Sequence, residues 1–299
     1  MHHDRLRAIA AMLTAVVAFS GMDTLLKLLS ASYPPMQVTV LRGACALPFM
    51  LVPVLATGGW ASLRPRRLSM HLLRGCLSVV VLGGFVLAVR ELSLANAYAV
   101  FLSAPLIVTA LSVPMLKERT QTGNWVAIAV GLAGVLIMLR PSVSGLVSLG
   151  SLAALVSALA YALSAITLRM LTRTESTGSV VVWTIGVMTC IAALIAIPGW
   201  VPIQPVHYRW LLLLGALAAT GSYLLATAFR AAPASVVAPL EYTALLWGIL
   251  IDRLIWHVLP SARVCWGGAV VIASGLYLIW RERTHLAREV AAQSWQPLP

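Results

Sequence analysis

The apolar run from Pro233 to Trp256, PASVVAPLEYTALLWGILIDRLIW, carries a carboxylate, Glu241, about a third of the way in. A carboxylate surrounded by hydrocarbon is costly, so such residues face a bundle interior or a water-filled path. Three roles are open to Glu241. It could bind an amine or another cation, exchange a proton, or stay protonated and hydrogen-bonded to a neighbouring helix. Pro233 and Pro239 remove backbone donors from the first turns of the same run, which is tolerated at membrane depth only where protein or water covers the backbone.

Asp23 and Lys27 lie four residues apart, on one helical face where opposite charges can pair. Either they pair, or Lys27 extends along its own stem to the headgroups and Asp23 accompanies it. Arg42 lies about two turns into the second apolar segment, after Gln37 and Thr39, deeper than comfortable snorkelling. Its planar guanidinium suits two-point contact with a carboxylate or phosphate. With Lys27 nearby it recognises an anionic group of a solute, or it pairs with Asp23. The aromatic residues Tyr98, Phe101, Tyr161, Trp183, Tyr223, Tyr242 and Trp247 sit within apolar segments, where they either wall a cavity for flat or amphipathic solutes or fill helix interfaces. The candidate substrate-binding set is therefore Glu241, Arg42, Lys27, Asp23, Gln37 and these seven aromatics, with Glu241 the proton-coupling candidate.

The elements that must hold these side chains are membrane helices. The chain is 60% hydrophobic and 10% charged over 299 residues, with mean hydropathy +0.92, where a soluble domain carries about a quarter charged residues. Counting roughly twenty apolar residues per crossing gives ten segments, at about 8–30, 35–57, 69–90, 95–116, 122–140, 148–170, 178–198, 208–229, 234–256 and 263–281. The net charge of +12 sits in short runs between segments. That is a topology signal and not a nucleic-acid surface, because no basic patch with interleaved aromatics accompanies it. The runs Arg64, Arg66, Arg67 and Arg74, Lys117 and Arg119, Arg169 and Arg173, and Arg281, Arg283 and Arg288 fall on the side of the N-terminus. Both termini are expected in the cytoplasm, and the chain in the inner (plasma) membrane, with the lipid bilayer as its surroundings.

Cys45, Cys76, Cys190 and Cys265 lie inside apolar runs without CxxC spacing and read as small buried hydrophobes. No metal or cofactor is expected. HExxH and GxSxG are missing from the sequence, and its six histidines lie near segment ends or tails, which argues against a membrane-embedded enzyme. Gly131 and Gly134, with Gly267, Gly268, Ser274 and Gly275, mark close helix contacts that allow a homodimer without requiring one.

Shifting the first half by about 140 residues sets Lys27 on Arg169, Phe19 on Tyr161, Gly75 on Gly215 and Arg90 on Arg230. Five segments recurring once enter the membrane inverted the second time. The expected fold is all-α: ten transmembrane helices as two inverted five-helix repeats around a central cavity. The first repeat takes residues 1–141, the second 142–281, and a short basic tail 282–299.

The run FRAAPASVVAPLEYTALLWG (229–248) with GGAVVIASGLYLI (267–279), and in the first half ANAYAVFLSAPLIVTALSVPMLKE (95–118) with GLAGVLIML (131–139), resembles the repeats of the EamA family of the drug/metabolite transporter superfamily. One position departs from that pattern: the acidic residue closing the fourth segment is present as Glu118, but its counterpart in the second repeat is Val258. The resemblance implies a secondary carrier of small metabolites working by alternating access. It points first to export of amino acids or related amphipathic metabolites, and alternatively to uptake of a cofactor-like compound such as riboflavin or S-adenosylmethionine.

Overall fold

The computed structural model describes residues 2–116, 122–139, 148–172, 174–231 and 240–293; Glu118, Pro233, Pro239 and the end of the tail lie outside them. Regular structure among the described residues is helical. In chain order the helices are α1 (His2–Ser30), α2 (Pro35–Gly58), α3 (Leu68–Glu91), α4 (Leu94–Phe101), α5 (Ala104–Leu116), α6 (Thr122–Leu139), α7 (Leu149–Thr172), α8 (Thr177–Ala196), α9 (Tyr208–Ala231), α10 (Thr243–Ile251) and α11 (Ala262–Gln293).

Apolar residues ring these helices instead of striping one face, the pattern of helices with hydrocarbon on one side and protein on the other. Six spans are long and apolar enough to cross a membrane: four within α1, α2, α3 and α7, one running from α8 to Gly199 and one from Pro205 into α9; Leu94–Val108, Trp125–Met138 and Ala262–Tyr277 are shorter apolar stretches. Val52, Leu136, Leu194, Leu212, Leu246 and Leu254 are exposed on the bundle surface, which suits a hydrocarbon solvent and not water. Cys76, Cys190 and Cys265 share that surface and only Cys45 is half-buried. The sequence placed all four inside; apolar surroundings at these positions are compatible with lipid, so apolar context did not distinguish core from lipid-facing residues.

The helices pack in cross-matched pairs: α1 on α9, α3 on α7, α2 on α8, α6 on α11, and α4 on α10. Further contacts join α3 to α8, α2 to α9, α4 and α5 to α7, and α10 to α1. One buried core gathers Leu26, Leu41, Leu82, Met188 and Leu214 from α1, α2, α3, α8 and α9. A second gathers Phe85, Tyr98, Val135, Tyr242 and Val271 from α3, α4, α6, α11 and the turn before α10. All six residues of the expected small-residue seam are used within the chain. A Cβ on Gly267 would stand 2.7 Å from the Gly134 carbonyl, one on Gly131 3.2 Å from Ser274, one on Gly268 3.3 Å from Leu245, and one on Gly275 would overlap the Tyr242 hydroxyl.

Two segments are less regular than their composition suggests. The fourth, expected to be continuous over 95–116, breaks at Leu102–Ser103 into α4 and α5. Pro105 has no N–H to continue the ladder, and the Ser103 carbonyl instead starts α5 by accepting from Leu106 and Ile107. The ninth ends in a π-helical turn, Asp252–Trp256, closed by His257 at φ 55°. Such turns widen the backbone and re-aim side chains, and here they turn Asp252 and Trp256 toward α1. The end of the bundle where α1 finishes and α2 begins is termed distal below, and the opposite end proximal.

Candidate functional site

Asp23 and Tyr98 meet in the interior. α1 buries Asp23 on the face toward α4, and the Tyr98 hydroxyl donates to Asp23 Oδ2 at 2.7 Å. Arg42, half-buried on α2, lies within Coulombic reach of Asp23. Its Nε donates to Met22 Sδ at 3.4 Å, a weak acceptor. No other hydrogen-bond partner of the Arg42 guanidinium is found among the described residues. The Ser20 hydroxyl, nearly one turn before Asp23, is buried beside the Tyr98 hydroxyl. An underused guanidinium beside a carboxylate forms a polar pole with capacity to spare.

From Tyr98 an aromatic run leads toward the proximal half. Tyr98 stacks on Phe85 with ring centroids 5.9 Å apart, Phe85 meets Phe101 edge-on at 5.4 Å, and Phe101 meets Tyr161 at 5.3 Å. Offset and edge-to-face contacts of this kind are favourable beyond their buried area, and Phe85 and Tyr98 are themselves buried in the core. At its far end Tyr161 feels the charges of both Glu241 and Arg74. The half-buried Glu241 carboxylate receives no hydrogen bond from a described residue. Tyr242, the next residue, is buried with its hydroxyl unpartnered. Arg74 is held by Thr184 Oγ1 at 2.9 Å and by the Ser164 carbonyl at 2.5 Å. The interior thus has two poles, each with a carboxylate, a guanidinium and a tyrosine, joined by aromatic rings.

Of the two arrangements open to Asp23 and Lys27, the pair is not formed in this conformation. Lys27 Nζ instead donates to the Leu92 carbonyl at 2.8 Å, lies 3.5 Å from Asp252 Oδ1 and sits 4.5 Å above the Trp256 ring. Asp252, 1% exposed, accepts from the backbone N–H of Leu94 at 3.0 Å and of Ala95 at 2.7 Å, so it caps α4 from another segment. Gln37 also lies away from the two poles: its amide clasps the Val201 backbone at 2.6 and 2.9 Å near the distal end. Trp183 donates to the Leu63 carbonyl at 2.7 Å near the proximal end. Tyr223 is 65% exposed and lines a surface groove between α2, α8 and α9. Trp247 is half-buried on α10. The structure therefore brings together Asp23, Arg42, Tyr98, Phe101, Tyr161, Glu241 and Tyr242, ties Lys27 to Asp252 and Trp256 at the distal end, and sets Gln37, Trp183 and Tyr223 elsewhere.

Arg74, Phe85 and Asp252 escaped the sequence reading. Arg74 counted as a loop cation, although it stands more than a turn inside α3. Asp252 was overshadowed by Arg253 beside it, although it is a second carboxylate in the apolar run that flagged Glu241.

At the proximal end Glu175 clamps the start of α3. Its Oε1 accepts from the backbone N–H of Arg66 and of Arg67, each at 3.0 Å, and its Oε2 lies 2.7 Å from Nε2 of the buried His71. Burial alone raises this carboxyl, but the His71 bond and the Arg67 and Arg66 amides outweigh it and leave the group below its ordinary 4.5. A depressed carboxyl contributes stability above its unfolded value, and the contribution is lost as pH falls through the lower folded value. Glu175→Gln is expected to cost about 1 kcal/mol at neutral pH. Melting curves of the two proteins should converge on acidification below 4.5, and a gap that persists there counts against the clamp.

A model of the EamA-like transporter family matches residues 6–140 and again 148–281. The chain is 27% identical over 292 residues to a riboflavin transporter of Vibrio cholerae, covering 96% of this chain and 97% of that one. It is 26% identical over 277 residues to the pseudopaline exporter CntI of Pseudomonas aeruginosa, covering 90% and 95%. It is 23% identical over 288 residues to an S-adenosylmethionine uptake transporter of Rickettsia conorii, covering 96% and 97%. A solved crystal structure superposes with a TM-score of 0.63 at 20% identity, covering 95% of this chain and 98% of the other.

Proposed function

We propose, because the chain belongs to the EamA-like transporter family, that it is a secondary carrier moving a small amphipathic metabolite by alternating access between two inverted five-helix halves. Two observations support the halves. The family model matches twice, with its matches offset by about 141 residues. The packing pairs also keep their pattern when each segment is advanced by five: α1 on α9 exchanges with α3 on α7, whereas α2 on α8, α6 on α11, and α4 on α10 map to themselves. A pseudo-two-fold axis in the membrane plane has that consequence. The basic runs favour both termini in the cytoplasm of an inner-membrane protein, which makes the distal end the outside.

The observation that carries the substrate reading is the aromatic run from Tyr98 to Tyr161, with a guanidinium at either end. Rings favour a flat body, and Arg42 favours an anionic or acceptor-rich edge. This suits a ring-bearing, cofactor-like solute. Amino-acid export is the second reading, favoured by Asp23 and Arg42 standing side by side, one complementary to an ammonium and the other to a carboxylate. A ligand that binds only the folded protein raises its melting temperature. A thermal-shift screen of ring-bearing metabolites against aliphatic amino acids is expected to favour the rings; stabilisation by aliphatic amino acids alone would reverse the order of the two readings.

Glu241 is the carboxylate best placed to couple transport to protons, since no described residue satisfies it. Glu241→Gln keeps the hydrogen-bonding shape without titration. It is expected to preserve solute exchange while abolishing the response of net flux to an imposed pH gradient. An unchanged response removes Glu241 from coupling.

A further inference from the structure

Asp23 and Lys27 occupy pairing positions on α1, yet in this conformation each is bound to a different segment. Asp23 accepts from Tyr98 of α4, and Lys27 reaches Asp252 and Trp256 of the ninth segment. Their order, acidic residue first and basic residue four positions later, is the better orientation for a helical ion pair. Asp252 does not depend on Lys27 alone, because two backbone N–H groups at the start of α4 also bind it. α4 and α10 pack together, so Asp252 and its two amides can move as one body.

We propose that Lys27 and Asp252 form the distal gate of the carrier, and that opening it is an exchange of partners. When α4 and the ninth segment leave α1, Lys27 passes from Asp252 to Asp23, and Asp23 releases Tyr98. Asp23, Lys27 and Asp252 each have a partner in both arrangements. Asp252 keeps the Leu94 and Ala95 amides, and Asp23 and Lys27 neutralise each other along α1. A buried charge stripped of its partner is strongly destabilising, so two arrangements that both satisfy the charges are what a bistable gate requires. Opening also removes Asp23 as the charge facing Arg42, which leaves that guanidinium to the solute.

The inference rests on the alternating-access reading, and its test uses no solute, so it can fail without touching the evidence from flux. Spin labels at Ala31→Cys and Val258→Cys, both exposed positions flanking the latch, report the gap between α1 and the ninth segment. They are placed in the full-length protein with its four native cysteines replaced by serine and reconstituted in liposomes. Asp252→Asn removes the ion pair, which only the closed arrangement has, and its loss of one of the two amide contacts falls on both arrangements alike, so the ratio of long to short distances should rise about fivefold or more. Asp23→Asn loses the Lys27 pair of the open arrangement, whereas in the closed one asparagine still accepts from Tyr98 and gives up only the longer-range attraction to Arg42, which makes no hydrogen bond to it, so the ratio should fall. A residue that merely stabilised the bundle would not give opposite signs. Shifts in the same direction, or no shift with Asp23→Asn, overturn the proposal.

Discussion

Replacing Arg42 by alanine is expected to abolish measurable transport while leaving the protein folded. Its guanidinium has only the Met22 thioether as a hydrogen-bond partner among the described residues, so little structure is lost with it. A solute's anionic or acceptor-rich group loses a charge-assisted contact in a low-dielectric interior. Truncating one side of such a contact costs about 2–5 kcal/mol, on the order of 30-fold or more in affinity. Arg42→Lys keeps the charge but not the planar fork, so its flux should fall between wild type and alanine, with the loss chiefly in apparent affinity. If Arg42→Ala transports normally at normal abundance, the distal pole does not bind solute. A lysine variant no better than alanine would instead make the fork, and not the charge, the essential feature.

The second large effect is structural. Gly215 on α9 faces the backbone of α2 so closely that a Cβ there would stand 2.4 Å from the Cys45 carbonyl oxygen and 2.6 Å from its carbon. Backbone atoms cannot swing aside as a side-chain tip can. Gly215→Ala must therefore push α9 away from α2, although alanine is the better helix former by about 1 kcal/mol. Overpacking of this kind costs about 1–3 kcal/mol. We expect a lowered melting temperature in detergent and reduced abundance in the membrane. Gly186, where a Cβ meets nothing within 4 Å, serves as the control, and Gly186→Ala should be neutral or stabilising. Equal behaviour of the two variants would show that the α2–α9 approach is looser than the structure has it.

Ionisable residues set into apolar runs made part of the candidate site legible before any fold was known. Asp23, Arg42 and Glu241 are conspicuous because lipid tolerates charge only where something answers it. What the sequence could not supply is the partner. Spacing put Asp23 and Lys27 on one face but could not say that α4 and the ninth segment would compete for them. Periodicity likewise cannot separate an aromatic residue in the wall, such as Phe101, from one clamping a loop, such as Trp183, or one facing outward, such as Tyr223. The break at Leu102–Ser103 and the π-turn at Asp252 depend on how backbone groups are satisfied by other segments, and a single-segment reading misses them. Gly215 was noticed only as a repeat position; its closeness to Cys45 is a property of the packed helices.

The glycine contacts and the two poles bear on one another. Tyr98 packs so tightly on α10 that a Cβ at Gly248 would stand 2.6 Å from its ring, which fixes the tyrosine that holds Asp23. Tyr242 is seated against Gly275 in the same manner. The small residues of the ninth and tenth segments therefore seat two aromatic side chains of the candidate site, Tyr98 and Tyr242.

The measurement that bears most directly on the carrier reading is uptake of labelled riboflavin, aromatic amino acids, aliphatic amino acids and nucleobases into liposomes holding the purified protein, beside Arg42→Ala and with or without a pH gradient. Saturable flux of a ring-bearing solute that disappears in the variant is the predicted result. A folded protein that moves none of these solutes under any gradient, or moves them equally well without Arg42, contradicts it.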